Sequence, residues 1–199
     1  MNKLQSIEEY SALFELHNNT INIFGEINTQ MASLIISQIQ YLDYKFKANN
    51  IPKEERIITI QINSVGGSVS DGLAIYDAMN GVESIISTVA MGRAASMGAL
   101  LLSAGTRGYR KATKNCEILI HQPLGGASGQ ASDIMIAANH IERTKKLLNT
   151  ILSENTGKSI KEIKKDTDRD YIMNAEEALK YGLIDYIIPS NNKAKKEEK

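Results

Sequence analysis

Four short stretches carry residue types that could act together. Ser96 lies in Gly92-Arg93-Ala94-Ala95-Ser96-Met97-Gly98, after an apolar stretch and at the start of a small-residue one. A serine between a strand and a helix sets its hydroxyl near the positive end of the helix dipole, and small neighbours let a substrate backbone approach. This is the strand–nucleophile–helix logic of the Gly-x-Ser-x-Gly elbow, with Ala94 in place of the first glycine. A serine packed inside a small-residue helix reads the same way. Gly66-Gly67 is the second stretch. Consecutive glycines can turn their amides outward toward a developing oxyanion, or simply make a tight turn. His121, the third, ends an apolar run in which Cys116, Ile118 and Ile120 share one face. Its opposite parity points it away from Cys116, which disfavours a Cys–His dyad and leaves Cys116 structural. The fourth is Asp166-Thr167-Asp168-Arg169-Asp170. It reads either as a charged turn capping the next helix or as the source of a carboxylate that orients an imidazole. Spacing does not choose among its acids.

These groups need elements to hold them. A strand is expected from Thr20 to Phe24, stopped by Gly25, then a helix over 27–46 with Met31, Ile35, Ile39, Leu42 and Phe46 at steps of three and four. Residues 47–56 read as a surface loop and Arg56 to Ile62 as a strand with Ile58, Ile60 and Ile62 on one face. Asn63 to Gly67 reads as a turn before a helix over about 69–79. The pattern repeats: strand Ser84 to Met91, turn Gly92-Arg93, helix Ala94 to Ala104. Two such turns in one sheet can lie side by side, where open sheets bind ligands. Glu117 to Ile120 is a further strand, and Leu124 to Gln130 is too glycine-rich for a helix. Ser132 or Asp133 is expected to cap a long helix through about Glu154, striped by Ile134, Ala138, Ile141, Leu148 and Ile151 and ended by Gly157. Helices near 159–165 and 174–181 and a strand at 183–188 complete an α/β fold with a mainly parallel sheet.

Composition narrows the function. The chain has 199 residues, with 23 basic and 23 acidic side chains. That length suits one sizeable core. Even charge argues against a general nucleic-acid or acidic-membrane binder. One cysteine excludes an intrachain disulfide framework, and three separated histidines (His17, His121, His140) lend little to a metal cluster. No apolar run reaches the roughly 18 residues of a membrane span, and the N-terminus lacks a signal-peptide core. A cytoplasmic protein is expected. There is no Gly-x-x-x-x-Gly-Lys-Ser/Thr loop for ATP.

Taken together, Ile62-Asn63-Ser64-Val65-Gly66-Gly67-Ser68-Val69, Gly72 to Asp77, Met91 to Ala99, Ile120-His121-Gln122-Pro123-Leu124-Gly125-Gly126, Gly129-Gln130-Ala131, Asp166 to Asp170 and Ala175 to Ala178 closely resemble the proteolytic subunits of the Clp proteases. The resemblance runs from about Thr20 to Pro189. It implies a crotonase/ClpP-like fold of repeated strand–helix units with a protruding handle helix, flanked by a short N-terminal segment (1–19), axial on the family's pattern, and a disordered tail (190–199). It also implies a serine endopeptidase subunit of a barrel of two heptameric rings, homomeric or mixed with a second subunit type, that hydrolyses unfolded polypeptides delivered by an AAA+ unfoldase. By resemblance Ser96 is the nucleophile, His121 the base and Asp170 the orienting acid. The amides of Gly67 and Met97 form the oxyanion hole, Ser68, Leu124, Gly125 and Gly126 bind the substrate strand, and Arg169 joins the rings. No cofactor or metal is implied, since ATP belongs to the partner. Two departures stand out. Val65 occupies a position that is usually proline. Thr59, Gln61, Gly81 and Lys111 occupy positions that are usually aromatic where unfoldase loops dock, so docking is expected to be weak. The rival readings are a regulatory or structural subunit of a mixed barrel and a crotonase-like acyl-CoA enzyme.

Overall fold

The computed structural model describes residues 7–189; the tail expected from 190 onward lies outside the described residues. A helix α1 (Ile7–His17) precedes the first strand. Isoleucine alternation then builds the centre of the sheet. Strand β1 (Thr20–Ile27) buries Ile21, Ile23 and Ile27, and β2 (Ile57–Gly67) buries Ile58, Ile60 and Ile62. Between them α2 (Thr29–Ala48), capped by the side chain of Asn28, lays Ala32, Ile35, Ile39, Leu42 and Phe46 on the sheet. Each fully buried isoleucine or leucine contributes about 1.5–3 kcal/mol, so this stripe fixes the helix in place. Helix α3 (Val69–Gly81) follows β2 and buries Ile75 and Met79. Strand β3 (Ile85–Ala95) runs into α4 (Met97–Ser103), every residue of which is buried.

Glycines at the strand ends are bends here, not stops. Gly25 (φ 89°), Gly66 (φ 94°) and Gly92 (φ 75°) sit inside β1, β2 and β3, and each strand continues past its glycine. The expected turns at Asn63–Gly67 and Gly92-Arg93 are therefore extended segments, and Ala94 and Ala95 belong to β3, not to the helix. The pairing of β1 with β2 slips between Phe24 and Glu26, and that of β2 with β3 slips between Ile62 and Ser64. Such bulges bend a strand without ending it, and glycine tolerates the positive φ they need.

The bend lets β3 serve two neighbourhoods. Thr88 to Ala90 pair with β4 (Arg110–Thr113), and Arg93 to Ala95 pair with β5 (Glu117–Ile120). The main sheet runs β1-β2-β3-β4-β7, all parallel, with β7 (Tyr186–Ile188) at its edge. Strand β5 also pairs antiparallel with β6 (Tyr171–Asn174). Strands β4 and β6 have no counterpart in the sequence expectation, and β7 is shorter than expected.

Helix α5 (Ala131–Thr156) is the projecting element: its residues from Ala131 to Met135 are exposed, whereas Leu148, Asn149, Ile151 and Leu152 are buried. It starts two or three residues earlier than a cap at Ser132 or Asp133 requires. Gln130 is its N-cap, without a side-chain bond, and Asp133 lies in the first turn, favoured by the helix dipole. Gly157 (φ 78°) ends it in the left-handed conformation. Helices α6 (Ile160–Asp166) and α7 (Ala175–Tyr181) each open on a capping box, Ser159 with Glu162 and Asn174 with Glu177. Among the described residues no helix is long and apolar enough to cross a membrane.

Candidate active site

Ser96 sits at the junction of β3 and α4 with φ 55° and ψ −122°, a region that costs a non-glycine residue about 1–3 kcal/mol. The surroundings hold it there. Its amide donates to the carbonyl of Leu119 on β5 at 2.8 Å, and its carbonyl accepts from Ala99 and Leu100 of α4. Its side chain caps no helix amide, so the hydroxyl is left to the cleft it lines. The small neighbours are a steric necessity. A Cβ on Gly66 would lie 2.6 Å from Ser96 Cβ and 3.1 Å from the Met97 amide nitrogen, and one on Gly67 would overlap the backbone of Ile27. The ends of β2 and β3 thus touch, the adjacency expected of two strand-to-helix turns.

This contact brings two backbone donors together. The Ser68 amide donates to Ile27 at 2.9 Å, so alternation along a parallel strand turns the neighbouring Gly67 N–H away from β1, toward the side where β3 has ended. The Met97 amide stands beside Gly66 in the first turn of α4, where a helix has no acceptor of its own for it. The Ser68 hydroxyl accepts from Asp71 N–H at 3.4 Å and caps α3.

His121 follows β5 directly and is largely covered, its side chain 17% exposed. Its Nδ1 lies 3.1 Å from Asp170 Oδ1. In the tautomer that donates Nδ1–H to this carboxylate, Nε2 is a free base. The other acids of the cluster are engaged elsewhere. Asp166 accepts from the Tyr181 hydroxyl at 2.9 Å, and the Asp168 carboxylate lies 4.0 Å from Lys145 Nζ. Burial first, then the Asp166 carboxylate, pushes the Tyr181 hydroxyl far above its ordinary value, so it stays a donor to Asp166. Ser96 and His121 line one narrow cleft with Val69, Met97, Ile120, Pro123, Leu148 and Leu152 among its apolar walls. A second, more open and larger cleft of about 310 Å³ shares Val69 and Pro123 and adds Leu73, Leu124, His140 and Ile141. The segment 124–129 between them is exposed and carries no ladder of its own, with Leu124 83% exposed and Gly125 against Ile141.

Arg169 is exposed and makes no ion pair among the described residues. Cys116 is buried and away from both clefts, and burial, with Glu117 beside it, pushes its thiol up to about 11. Sequence reasoning passed over Gln122 and Asn63. The Gln122 amide donates to Thr167 O at 2.7 Å, and its side chain spans Asp168 O and Lys145 Nζ, so it ties the strand end carrying His121 to the loop carrying Asp170. Asn63 Oδ1 accepts from the Arg93 amide at 3.3 Å, linking β2 to the bend in β3. The available signal was their place inside the His-Gln-Pro and Asn-Ser-Val-Gly-Gly runs. A strained serine, a histidine bonded to a carboxylate and two outward amides around an apolar cleft together suit nucleophilic acyl transfer.

The family model described as Clp protease matches residues 2–191. A curated relative, the ATP-dependent Clp protease proteolytic subunit of Ligilactobacillus salivarius (strain UCC118), is 50% identical over 186 residues, covering 94% of this chain and 90% of the relative. Matched along nearly its whole length in both comparisons, the chain belongs to the Clp protease family.

Proposed function

We propose that the chain is a serine endopeptidase subunit of an ATP-dependent protease. The observation that carries the reading is the His121–Asp170 bond at 3.1 Å on the wall of the cleft that Ser96 also lines. Ser96 Oγ attacks the carbonyl carbon of a peptide bond while His121 Nε2 takes its proton. The oxyanion is held by the amides of Gly67 and Met97. His121 then protonates the leaving amine, leaving Ser96 acylated, and a water activated by the same imidazole releases the acid. Asp170 keeps the tautomer and stabilises the imidazolium. The substrate lies extended along Leu124, Gly125 and Gly126 on one side and Ser68 on the other. Main-chain pairing there supplies affinity with little selection by side chain.

The assembly follows the family pattern: two heptameric rings joined through the α5 handles and Arg169, with an ATP-driven unfoldase supplying unfolded chains. Ile134, Met135 and Ile136, all exposed on α5, are in keeping with a face covered by another subunit. Thr59, Gln61, Gly81 and Lys111, where aromatic walls are usual, favour a second reading of the partners. In that reading the chain works beside another subunit type with aromatic docking pockets. An acyl-CoA activity is disfavoured by a serine that shares its cleft with a histidine–carboxylate couple.

The test is Ser96→Ala in the purified, assembled protein. Loss of a member of such a triad costs roughly 10⁴–10⁶ in turnover. A fluorogenic peptide should therefore be cleaved at a rate lower by that order, and a fluorophosphonate should label the parent chain but not the variant. Turnover by Ser96→Ala at the parent's rate would overturn the assignment.

A further inference from the structure

A buried hydroxyl outside the proposed triad bonds the backbone of the strand that carries Gly66 and Gly67. Ser64 is 2% exposed. It lies at the bulge of β2, where the partner of β1 changes from Phe24↔Asn63 to Glu26↔Gly66, one extra residue on β2. In an unbroken parallel ladder ending with Ser68 N–H on Ile27 O, the Gly66 N–H would donate to the Gly25 carbonyl. The extra residue breaks that bond, and the Ser64 side chain replaces it. Its Oγ donates to Gly25 O at 2.5 Å and accepts from Gly66 N–H at 3.1 Å. On the other flank Ser64 pairs with Ala94 of β3, and a Cβ on Gly98 would lie 3.3 Å from both its Cβ and its carbonyl oxygen. The residue is thus wedged between β1 and the start of α4, directly behind the Gly66-Gly67 pair.

We propose that Ser64 is a positioning residue for the oxyanion hole: its hydroxyl splints the bulge so that the Gly67 amide faces the Met97 amide across the carbonyl to be attacked. The inference rests on the proposed serine-peptidase reading. The splint holds a backbone that has positive φ at two successive glycines, 94° and 150°, and no side chain of its own to lock it. Glycines have the most conformational freedom to lose, so without the splint the donors sample many orientations. Oxyanion donors act through being fixed before charge develops. The hydroxyl bonds Gly25 and Gly66 rather than Ser68, the binding residue on this side, so it matters to the transition state more than to substrate binding.

The experiment uses the full assembled chain, a fluorogenic peptide, and a peptide boronic acid that forms a tetrahedral anion on the serine. Ser64→Ala should lower kcat about 10- to 100-fold, the effect of a displaced or lost donor, with KM within about twofold. Affinity for the boronate should fall by a similar factor. Ser64→Thr, which keeps the hydroxyl, should retain kcat well above that of Ser64→Ala. If Ser64→Ala does not fold, Ser64→Cys, a weak donor of similar size, replaces it in the same comparison. A folded Ser64→Ala with kcat within twofold of the parent, or equal kcat in the Ala (or Cys) and Thr variants, would overturn the proposal. Ser96→Ala is run alongside. If it stays active, the reading of the whole site fails. If it is inactive while Ser64→Ala matches the parent, only the positioning role fails.

Discussion

Removing the Asp185 carboxylate should destabilise the fold more than any other single change to a charged residue outside the site. Arg110 is 5% exposed, and among the described residues its only carboxylate partner is Asp185 at 2.5 Å, whose side chain is 22% exposed. The carboxylate also accepts from Arg110 Nε at 2.9 Å and from the amides of Gly108 and Arg110 at 2.7 and 3.1 Å. Arg110 Nη1 reaches the Asn155 carbonyl at the end of α5, at 2.8 Å. Asp185→Ala thus strands a buried guanidinium and two amides at once. Breaking a buried pair from one side costs about 3–5 kcal/mol. For a chain of this size each kcal/mol lowers the melting temperature by about 2–4 °C, so a fall of roughly 6–20 °C is expected by calorimetry. The double variant Arg110→Met with Asp185→Asn leaves no stranded charge and keeps an acceptor for the amides, so it should lose less than half as much. The pH dependence has a definite sign. Burial raises the Asp185 carboxyl, but the Arg110 hydrogen bonds and charge and the Gly108 amide outweigh it and hold the group below its ordinary value. Its contribution is complete above the unfolded value of about 3.9 and is lost as pH falls through the lower folded value. The gap between the parent and Asp185→Asn should therefore close in acid. A melting temperature for Asp185→Ala within about 2 °C of the parent, or a gap unchanged below pH 4, would refute this account.

Two further outcomes can be measured directly. Gly66→Ala places a Cβ 2.6 Å from that of Ser96 at φ 94°; relief needs a shift approaching 1 Å, so kcat should fall about 100-fold in a folded protein, and a fall of less than threefold would contradict the close approach. Cys116, with its thiol raised to about 11, should stay unlabelled by iodoacetamide in the native protein at pH 8 and label fully in guanidinium; rapid native labelling would show that the β5 core opens.

The legible and the hidden parts of this molecule differ for physical reasons. Ile58, Ile60 and Ile62 announce a strand because alternation is a property of the residues themselves. The serine elbow is legible too, since only small residues fit where the β2 and β3 ends touch. Gly25, Gly66 and Gly92 mislead because a glycine that ends a strand and one that bends it share the same local preference; only pairing across the sheet separates the two. Strand β4 was hidden because Arg110 and Lys111 look solvated, and Arg110 is buried only because Asp185 arrives from 75 residues away. Among Asp166, Asp168 and Asp170, spacing is silent. Tyr181 takes the first, the second faces Lys145, and the antiparallel pairing of β5 with β6 carries the third to His121.

The 49-residue separation between His121 and Asp170 also sets an order of events during synthesis. Chains emerge N-terminus first at about 5–20 residues per second, so the carboxylate becomes available roughly 2 to 10 seconds after the imidazole. In that interval the serine and the histidine already exist, but the imidazole has no partner to hold its tautomer. Strand β6, which delivers Asp170, pairs antiparallel with β5. On the proposed mechanism, a chain that ends before Asp170 lacks the carboxylate that orients the imidazole. On that mechanism, a peptidase made among other nascent, unfolded chains gains its complete charge system only as its own last quarter is made.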